Sequence, residues 1–157
     1  MKTRSALTAK AIKNELKKHF PGIKFSVRSD NFAGGNSVDI EWADGPTVNE
    51  VEKFTNKYEY GHFDGMVDMY EYSNSRNDIP QVKYVMTDRQ MSDQTRKDIA
   101  DYLRKNRGDC RDATDNDWIE NERCYFSTLI YQEHYKISYC NKLGGVEYID
   151  FEKELIN

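Results

Sequence analysis

At Pro21-Gly22 the hydrophobic period of this chain changes from that of a helix to that of a strand, and this change limits the folds open to it. Before the dipeptide, Ala9, Ile12, Leu16 and Phe20 recur near helical spacing while Lys10, Lys13, Lys17 and Lys18 fall mostly elsewhere, so an amphipathic helix is expected over about residues 7–19. Proline disfavours helical geometry in the residue before it and glycine lets the chain reverse, which ends that helix. Beyond it, Ile23, Phe25 and Val27 alternate with Lys24, Ser26 and Arg28. After a turn-like stretch from Asp30 to Asn36, Val38, Ile40 and Trp42 alternate with Asp39 and Glu41. Two half-buried antiparallel strands are the simplest outcome.

The next segments extend this αββ start. Asp44-Gly45-Pro46 reads as a turn, and Thr47 followed by Glu50 has the spacing of a capping box, so a second helix is expected over about residues 47–58 with Val48, Val51 and Tyr58 on its apolar face. Further strands are expected from Met66 to Tyr72 and from Gln81 to Met86, with a polar loop from Ser73 to Pro80 between them. Ser92 is a good N-cap for a helix that buries Ile99, Tyr102 and Leu103 and closes at Asn106-Arg107-Gly108. Thr114 or Asp115 can cap a long helix to about Glu133, in which Trp118, Ile119, Tyr125, Phe126, Leu129 and Ile130 form one stripe. Tyr135, Ile137 and Tyr139 then alternate, and Val146 with Tyr148 after Gly144-Gly145 suggests a terminal hairpin. The expected class is α+β, with a mainly antiparallel sheet, helices packed on it, and a helical and hairpin C-terminal part. A chain of 157 residues fits one domain over 1–157. Within it, an αββαβ part covers 1–93, and 94–157 is a helical extension.

Charge separates two candidate surfaces. Residues 1–28 carry eight Lys/Arg against the single acid Glu15, a local charge of +7 in a chain whose net charge is −4. Residues 109–122 carry Asp109, Asp112, Asp115, Asp117, Glu120 and Glu122 against Arg111 alone, a local charge of −5. The acidic stretch, with Trp118 inside it, could occupy a basic groove that normally holds nucleic acid, because spaced carboxylates present a field like that of a phosphate backbone. Its plainer reading is a solvated helix start favoured by the macrodipole. Lys10, Lys13, Lys17, Lys18, Lys24 and Arg28 could instead contact phosphates, although a charge run on a helix is usually a solvated face.

The chemistry-bearing motifs are sparse. Gly34-Gly35 lies between two expected strands and no Lys-Ser/Thr follows, which argues against a phosphate loop. Phe63-Asp64-Gly65-Met66 with Asp68 could bind a metal through two carboxylates. A tight turn that anchors Phe63 and Met66 on the core is the simpler expectation. Cys110, Cys124 and Cys140 are odd in number and widely spaced, and are expected as reduced thiols. His19, His62 and His134 sit in separate segments and read as ordinary imidazoles. No nucleophile or metal signature can be assembled, so catalysis, a metal and a cofactor are not expected. No apolar run reaches the length of a membrane span and the basic N-terminus lacks a signal-peptide core, so a cytoplasmic location is expected.

Three ordered motifs carry a likeness to a known family. They are Lys13-Asn14-Glu15-Leu16-Lys17-Lys18-His19-Phe20-Pro21-Gly22-Ile23-Lys24-Phe25-Ser26-Val27-Arg28, then Trp42-Ala43-Asp44-Gly45-Pro46-Thr47, then Tyr58-Glu59-Tyr60-Gly61-His62-Phe63-Asp64-Gly65-Met66-Val67-Asp68. Over about residues 8–93 the chain resembles one of the large polyvalent protein-associated domains of phages, plasmids and other mobile elements. The resemblance implies a genetic context rather than a reaction. In that context the leading expectation is an accessory that binds protein and inhibits a host defence nuclease, such as a CRISPR effector or a restriction enzyme, through Asp109, Asp112, Asp115, Asp117, Trp118, Glu120 and Glu122. The alternative is a nucleic-acid-binding accessory using the basic residues named above. Oligomeric state is left open.

Overall fold

The computed structural model describes residues 1–139. Helix α1 spans Arg4–His19, slightly longer than expected, because Thr3 caps it: its Oγ1 accepts from the Ala6 amide at 3.3 Å. Ser5, Thr8, Ile12 and Leu16, three to four residues apart, make its buried face. Lys17, Lys18 and His19 in the last turn complement the negative end of the helix dipole. Gly22, at φ 86°, supplies the left-handed step by which the chain leaves the helix.

Strands β1 (Ser26–Phe32) and β2 (Gly35–Ala43) pair antiparallel, with Val27 opposite Ile40 and Ser29 opposite Val38. They run further than the alternation indicated. Most of Asp30 to Asn36 is strand, and only Ala33-Gly34 connect. Because alternate residues share a face, Val38, Ile40 and Trp42 all turn to the helical side and are buried there.

Helix α2 (Val48–Thr55) starts with the expected capping box: Thr47 Oγ1 accepts from the Glu50 amide, and Glu50 Oε2 accepts from the Thr47 amide at 2.8 Å. It lies beside α1, where the His19 ring stacks on Phe54 with centroids 3.9 Å apart. The chain continues through a short 3₁₀ turn at 56–58 into a hairpin of β3 (His62–Asp64) and β4 (Met69–Glu71), then into β5 (Tyr84–Gln90).

Of the strand expected from Met66 to Tyr72 only Met69–Glu71 forms, paired with a β3 that the alternation did not indicate, and two features of β5 also differ from the sequence expectation. First, β5 starts at Tyr84 rather than Gln81, because the Gln81 side chain clasps the preceding loop: its amide donates to the carbonyls of Lys57 and Asn74 and its oxygen accepts from the Arg76 amide. Second, β5 pairs with β2 in parallel, Val38 opposite Val85 and Ile40 opposite Thr87, giving the order β1-β2-β5. The segment through α2 carries the chain from the end of β2 back to the start of β5, and such a return produces a parallel neighbour. The other strand pairings are antiparallel.

Helix α3 (Asp93–Asn106) is capped by Ser92, whose Oγ accepts from the Thr95 amide, and ends at Asn106 as expected. The long helix expected from Thr114 or Asp115 to Glu133 does not form as one element. A 3₁₀ turn at 108–110 and a miniature hairpin of β6 (Trp118–Ile119) and β7 (Cys124–Tyr125) come first, and α4 runs only from Phe126 to Lys136. The reason lies in local bonds. Asp117 Oδ2 accepts from both the amide and the hydroxyl of Thr114, at 2.7 and 2.8 Å, which closes a turn where a helix would start. Arg123, at φ 52°, then breaks helical geometry before the real start. The first amides of α4 are taken up by backbone, Phe126 donating to the Asp117 carbonyl and Ser127 to that of Asp115.

Among the described residues two apolar clusters result. One joins α1 and α2 to the sheet through Ile12, Leu16, Val38, Ile40, Trp42 and Val51. The other joins α3, α4 and the intervening turns through Ile99, Leu103, Ile119, Phe126, Leu129 and Ile130. Arg89 ties them together, its guanidinium donating to the carbonyls of Asp44, Gly45, His134 and Ile137 at 2.7–3.1 Å. Of the residues expected as a strand, Tyr135 lies in the last turn of α4, while Ile137 and Tyr139 are buried after it, the Tyr139 amide donating to the Gly45 carbonyl at 2.7 Å. The expected terminal hairpin and Cys140 lie outside the described residues. Cys110 and Cys124 are free thiols.

Candidate functional site

The acidic segment is fastened to the protein more firmly than a run of solvated charges. Arg107 grips Asp109 with two hydrogen bonds, at 3.1 and 2.9 Å, and reaches Glu122 at 2.6 Å with its third nitrogen. Asn121 adds a bond to Asp109, and together these donors hold its carboxyl well below the usual carboxylate range. Arg96 pairs with Asp115 at 2.7 Å. The Thr114 amide and hydroxyl lower the Asp117 carboxyl in the same way. Four of the six predicted carboxylates therefore staple turns.

What the turns present outward is aromatic. Trp118 and Tyr125 face each other across β6 and β7 in an edge-to-face pair, centroids 5.3 Å apart, and are 51% and 52% exposed. The indole N–H donates to Glu120 at 2.9 Å, which fixes the ring. Beside it lies a shallow cleft of about 290 Å³ lined by Asp109, Asp112, Asp117 and Trp118 together with Arg111 and Ile119. The fold thus brings four of the seven predicted residues to one cleft. Asp115, Glu120 and Glu122 stand outside its lining.

The basic candidates are divided. Lys13 on α1 and Lys24 before β1 line one groove of about 490 Å³ with Phe25, Val27 and Trp42. Lys10, Lys17 and Lys18 are exposed along α1. Arg28 is on the face of β1 opposite Val27 and pairs with Glu41 at 3.3 Å, so it does not join them.

A third surface was not legible in the sequence. Phe63 and Met66, expected to anchor their turn on the core, are instead 54% and 94% exposed, and Val67 and Met69 stand out with them at the tip of the β3–β4 hairpin. The turn is held from within: Asp64 Oδ1 accepts from the Met66 amide at 2.8 Å, and Asp68 rather than Gly65 adopts the left-handed conformation, at φ 52°. No group of three or more His, Cys, Asp or Glu that could hold a metal occurs among the described residues. The base of the hairpin is fixed. Tyr70 donates to the Lys83 carbonyl at 2.7 Å, Tyr60 stacks on Tyr72, and Gly61 lies so close to the Glu71 carbonyl oxygen that an added Cβ would collide with it. An apolar alternation looks the same in sequence whether it faces a core or solvent. Only the packing of the base shows that the tip points away.

This hairpin and the groove both fall within the segment that aligns with a known family, since the model of large polyvalent protein associated domain 29 matches residues 3–92. The chain belongs to that family. The match covers the span, about 8–93, over which the motifs showed their likeness, and it ties the chain to the polyvalent proteins of mobile elements. The family segment ends at the Ser92 cap of α3, so the aromatic cleft at Trp118 lies in a part of the chain beyond the family domain. No curated protein and no solved structure matches the chain. No helix among the described residues is long and apolar enough to cross a membrane.

Proposed function

We propose that this chain is a mobile-element accessory that acts in the cytoplasm by binding protein, and that it inhibits a host defence nuclease, a CRISPR effector or a restriction enzyme, rather than catalysing a reaction of its own. The observation that carries this reading is the half-exposed Trp118–Tyr125 pair set beside a cleft rimmed by Asp109, Asp112 and Asp117. Aromatic anchors beside a desolvated pocket supply most of the affinity of protein interfaces, and a surrounding acidic field steers the encounter with a basic nucleic-acid groove. The staples at Asp109, Asp115 and Asp117 favour a rigid presentation, which lowers the entropy lost on binding.

The test is co-purification of the tagged protein with defence effectors followed by a cleavage assay. Trp118→Ala should weaken inhibition by about thirtyfold or more, the scale of an interface anchor. Asp112→Lys with Glu120→Lys should slow association while leaving the thermal midpoint nearly unchanged. Capture of no effector, or inhibition indifferent to Trp118, defeats the proposal. A second reading draws on the meeting of Lys13 and Lys24 with aromatic Phe25 in one groove, which suits a nucleic-acid strand. It requires duplex or single-strand binding that weakens steeply with salt and whose salt slope falls by about one for each lysine removed.

A further inference from the structure

The hairpin tip and the groove at the far end of the sheet are complementary in both polarity and charge. From Tyr58 to Ser75 the chain has no Lys or Arg and carries four acids: Asp64 and Asp68 flank the tip, while Glu71 faces His62 at the base and Glu59 accepts there from the Val85 amide. The apolar side chains of Met66, Val67, Phe63 and Met69 project from the middle of that acidic segment into solvent. Such a cluster of exposed apolar side chains, rimmed by charge of one sign, marks an interaction site rather than ordinary surface. The groove has the opposite character: Lys13 and Lys24 stand at an apolar lining of Phe25, Val27 and Trp42, and the one acid in its wall, Glu41, is already neutralised by Arg28. Its volume of about 490 Å³ is that of a pocket for apolar groups rather than for a few waters.

The two surfaces cannot meet within one molecule. The base of the hairpin packs on Tyr84, the first residue of β5, through the Tyr70 ring at 5.7 Å, whereas the groove includes Gln90, the last residue of β5, and Ala43, the last of β2. Six strand steps separate these ends, about 20 Å at the rise of a β-strand. We propose that the domain associates with a second copy of itself by seating the acid-flanked apolar tip of one hairpin, Met66 and Val67 foremost, in the Lys13–Lys24 groove of the neighbouring copy. The contact joins two different patches, so it is isologous when two copies exchange tips about a two-fold axis and heterologous when each copy passes its tip to the next. It closes when two copies exchange tips and extends when they do not. The tyrosine-packed base and the close approach at Gly61 hold the tip in one orientation before contact, which limits the entropy lost on docking. This association uses surfaces of the family domain alone and is independent of the Trp118 cleft.

The experiment is sedimentation velocity on the full chain from low micromolar to several hundred micromolar, at low and at high salt. The wild type should associate with concentration and less so at high salt. Met66→Lys with Val67→Lys should weaken self-association by about a hundredfold or more, as should Lys13→Glu with Lys24→Glu, because each sets like charges against each other across the contact. All four side chains are exposed, so both variants should keep the wild-type circular dichroism and thermal midpoint. Mixed together, the tip variant and the groove variant should recover association as a hetero-complex, since the exchanged charges now match. A wild type that stays monomeric throughout the range overturns the proposal. So does self-association that survives either double substitution, or a mixture of the two variants that remains monomeric.

Discussion

The family domain and the part of the chain that follows it are built from similar pieces, a pair of helices, short strands and one apolar cluster, but they use polar side chains differently. In the family domain the polar bonds reach across the fold. Glu15 of α1 accepts from Lys57 at 2.7 Å and from Tyr58, Ser5 meets Asn31, and the Lys83 amide donates to the Asn36 side chain. In the following part the bonds span fewer residues, from two or three between Arg107 and Asp109, Trp118 and Glu120, or Asp117 and Thr114 to nineteen between Arg96 and Asp115. A domain held by long-range bonds fixes its surfaces relative to one another, which suits contacts between copies. A segment held by local staples can present a cleft whose shape depends little on the rest. Whether the two parts also unfold separately is the sharpest way to test this contrast.

The largest expected effects come from the two clusters. Phe126 is fully buried in the second and Leu16 in the first, and truncating either to alanine should cost about 3–5 kcal/mol. If the parts fold as one cooperative unit, both substitutions lower a single transition seen alike by tryptophan fluorescence and by far-ultraviolet circular dichroism. If they are separable, Phe126→Ala should melt α3 and α4 while the Trp42 signal persists.

Arg89 decides between those outcomes. Its four donated bonds connect Asp44 and Gly45 after β2 with His134 and Ile137 at the end of α4. Arg89→Met keeps much of the stem but strands those buried carbonyls, a loss of about 2–4 kcal/mol. The expected result is a transition that splits in two, with amide exchange accelerated in α4 more than in the β1–β2 pair. An unsplit transition with an unchanged midpoint would show that the other contacts across the junction, the Tyr139–Gly45 bond and apolar packing, join the parts without the guanidinium.

Legibility in the sequence followed the range of the interaction that sets each feature. The Thr47–Glu50 box and the Ser92 cap are local, and both read correctly from spacing. So did the alternation of Val38, Ile40 and Trp42, because one buried face imposes it. The parallel placement of β5 depends on a return path of forty residues and on Gln81 bonding to Lys57 and Asn74, neither of which has a pattern in sequence. The acids at 109–122 suit a solvated helix start as well as a binding face, because Asp favours the positive end of a helix. Here the Asp117 side chain satisfies a turn amide instead, a use with the same composition and the opposite structural consequence. Exposure of Phe63 and Met66 was hidden for a related reason, since periodicity reports a face and not what covers it.

A smaller effect should appear with pH. His134 is buried at the junction, and burial, with Arg89 beside it, lowers its pKa to about 4 from the ordinary 6.5. The unfolded chain therefore binds the proton more readily between those values, so stability falls as pH drops from 6.5 towards 4. The total approaches about 3 kcal/mol if the full shift is realised. His134→Phe should flatten the profile in that window, as measured by urea unfolding at successive pH values. An unaltered profile would mean that the imidazole reaches water before the junction opens.

The smallest difference concerns how helices start in the two parts. Thr47 and Glu50 satisfy each other's amides in a reciprocal box, whereas α4 begins at Phe126 with no side-chain cap and relies on the carbonyls of Asp115 and Asp117. Thr47→Ala should cost about 1 kcal/mol, and the pair Thr47→Ala with Glu50→Ala should cost less than the sum of the single changes, because each removes a bond that the other half of the box needs. At α4 the comparable substitution, Tyr125→Ala, removes no capping bond and should leave helix content unaltered while it loosens the Trp118 ring. Asp117→Asn should weaken the Thr114 turn and fray the first turn of α4, since the carbonyl that accepts from Phe126 belongs to the same residue. Equal fraying from Tyr125→Ala and Asp117→Asn, read as amide exchange at Phe126 and Ser127, would mean that aromatic packing rather than the carboxylate turn sets the start of that helix.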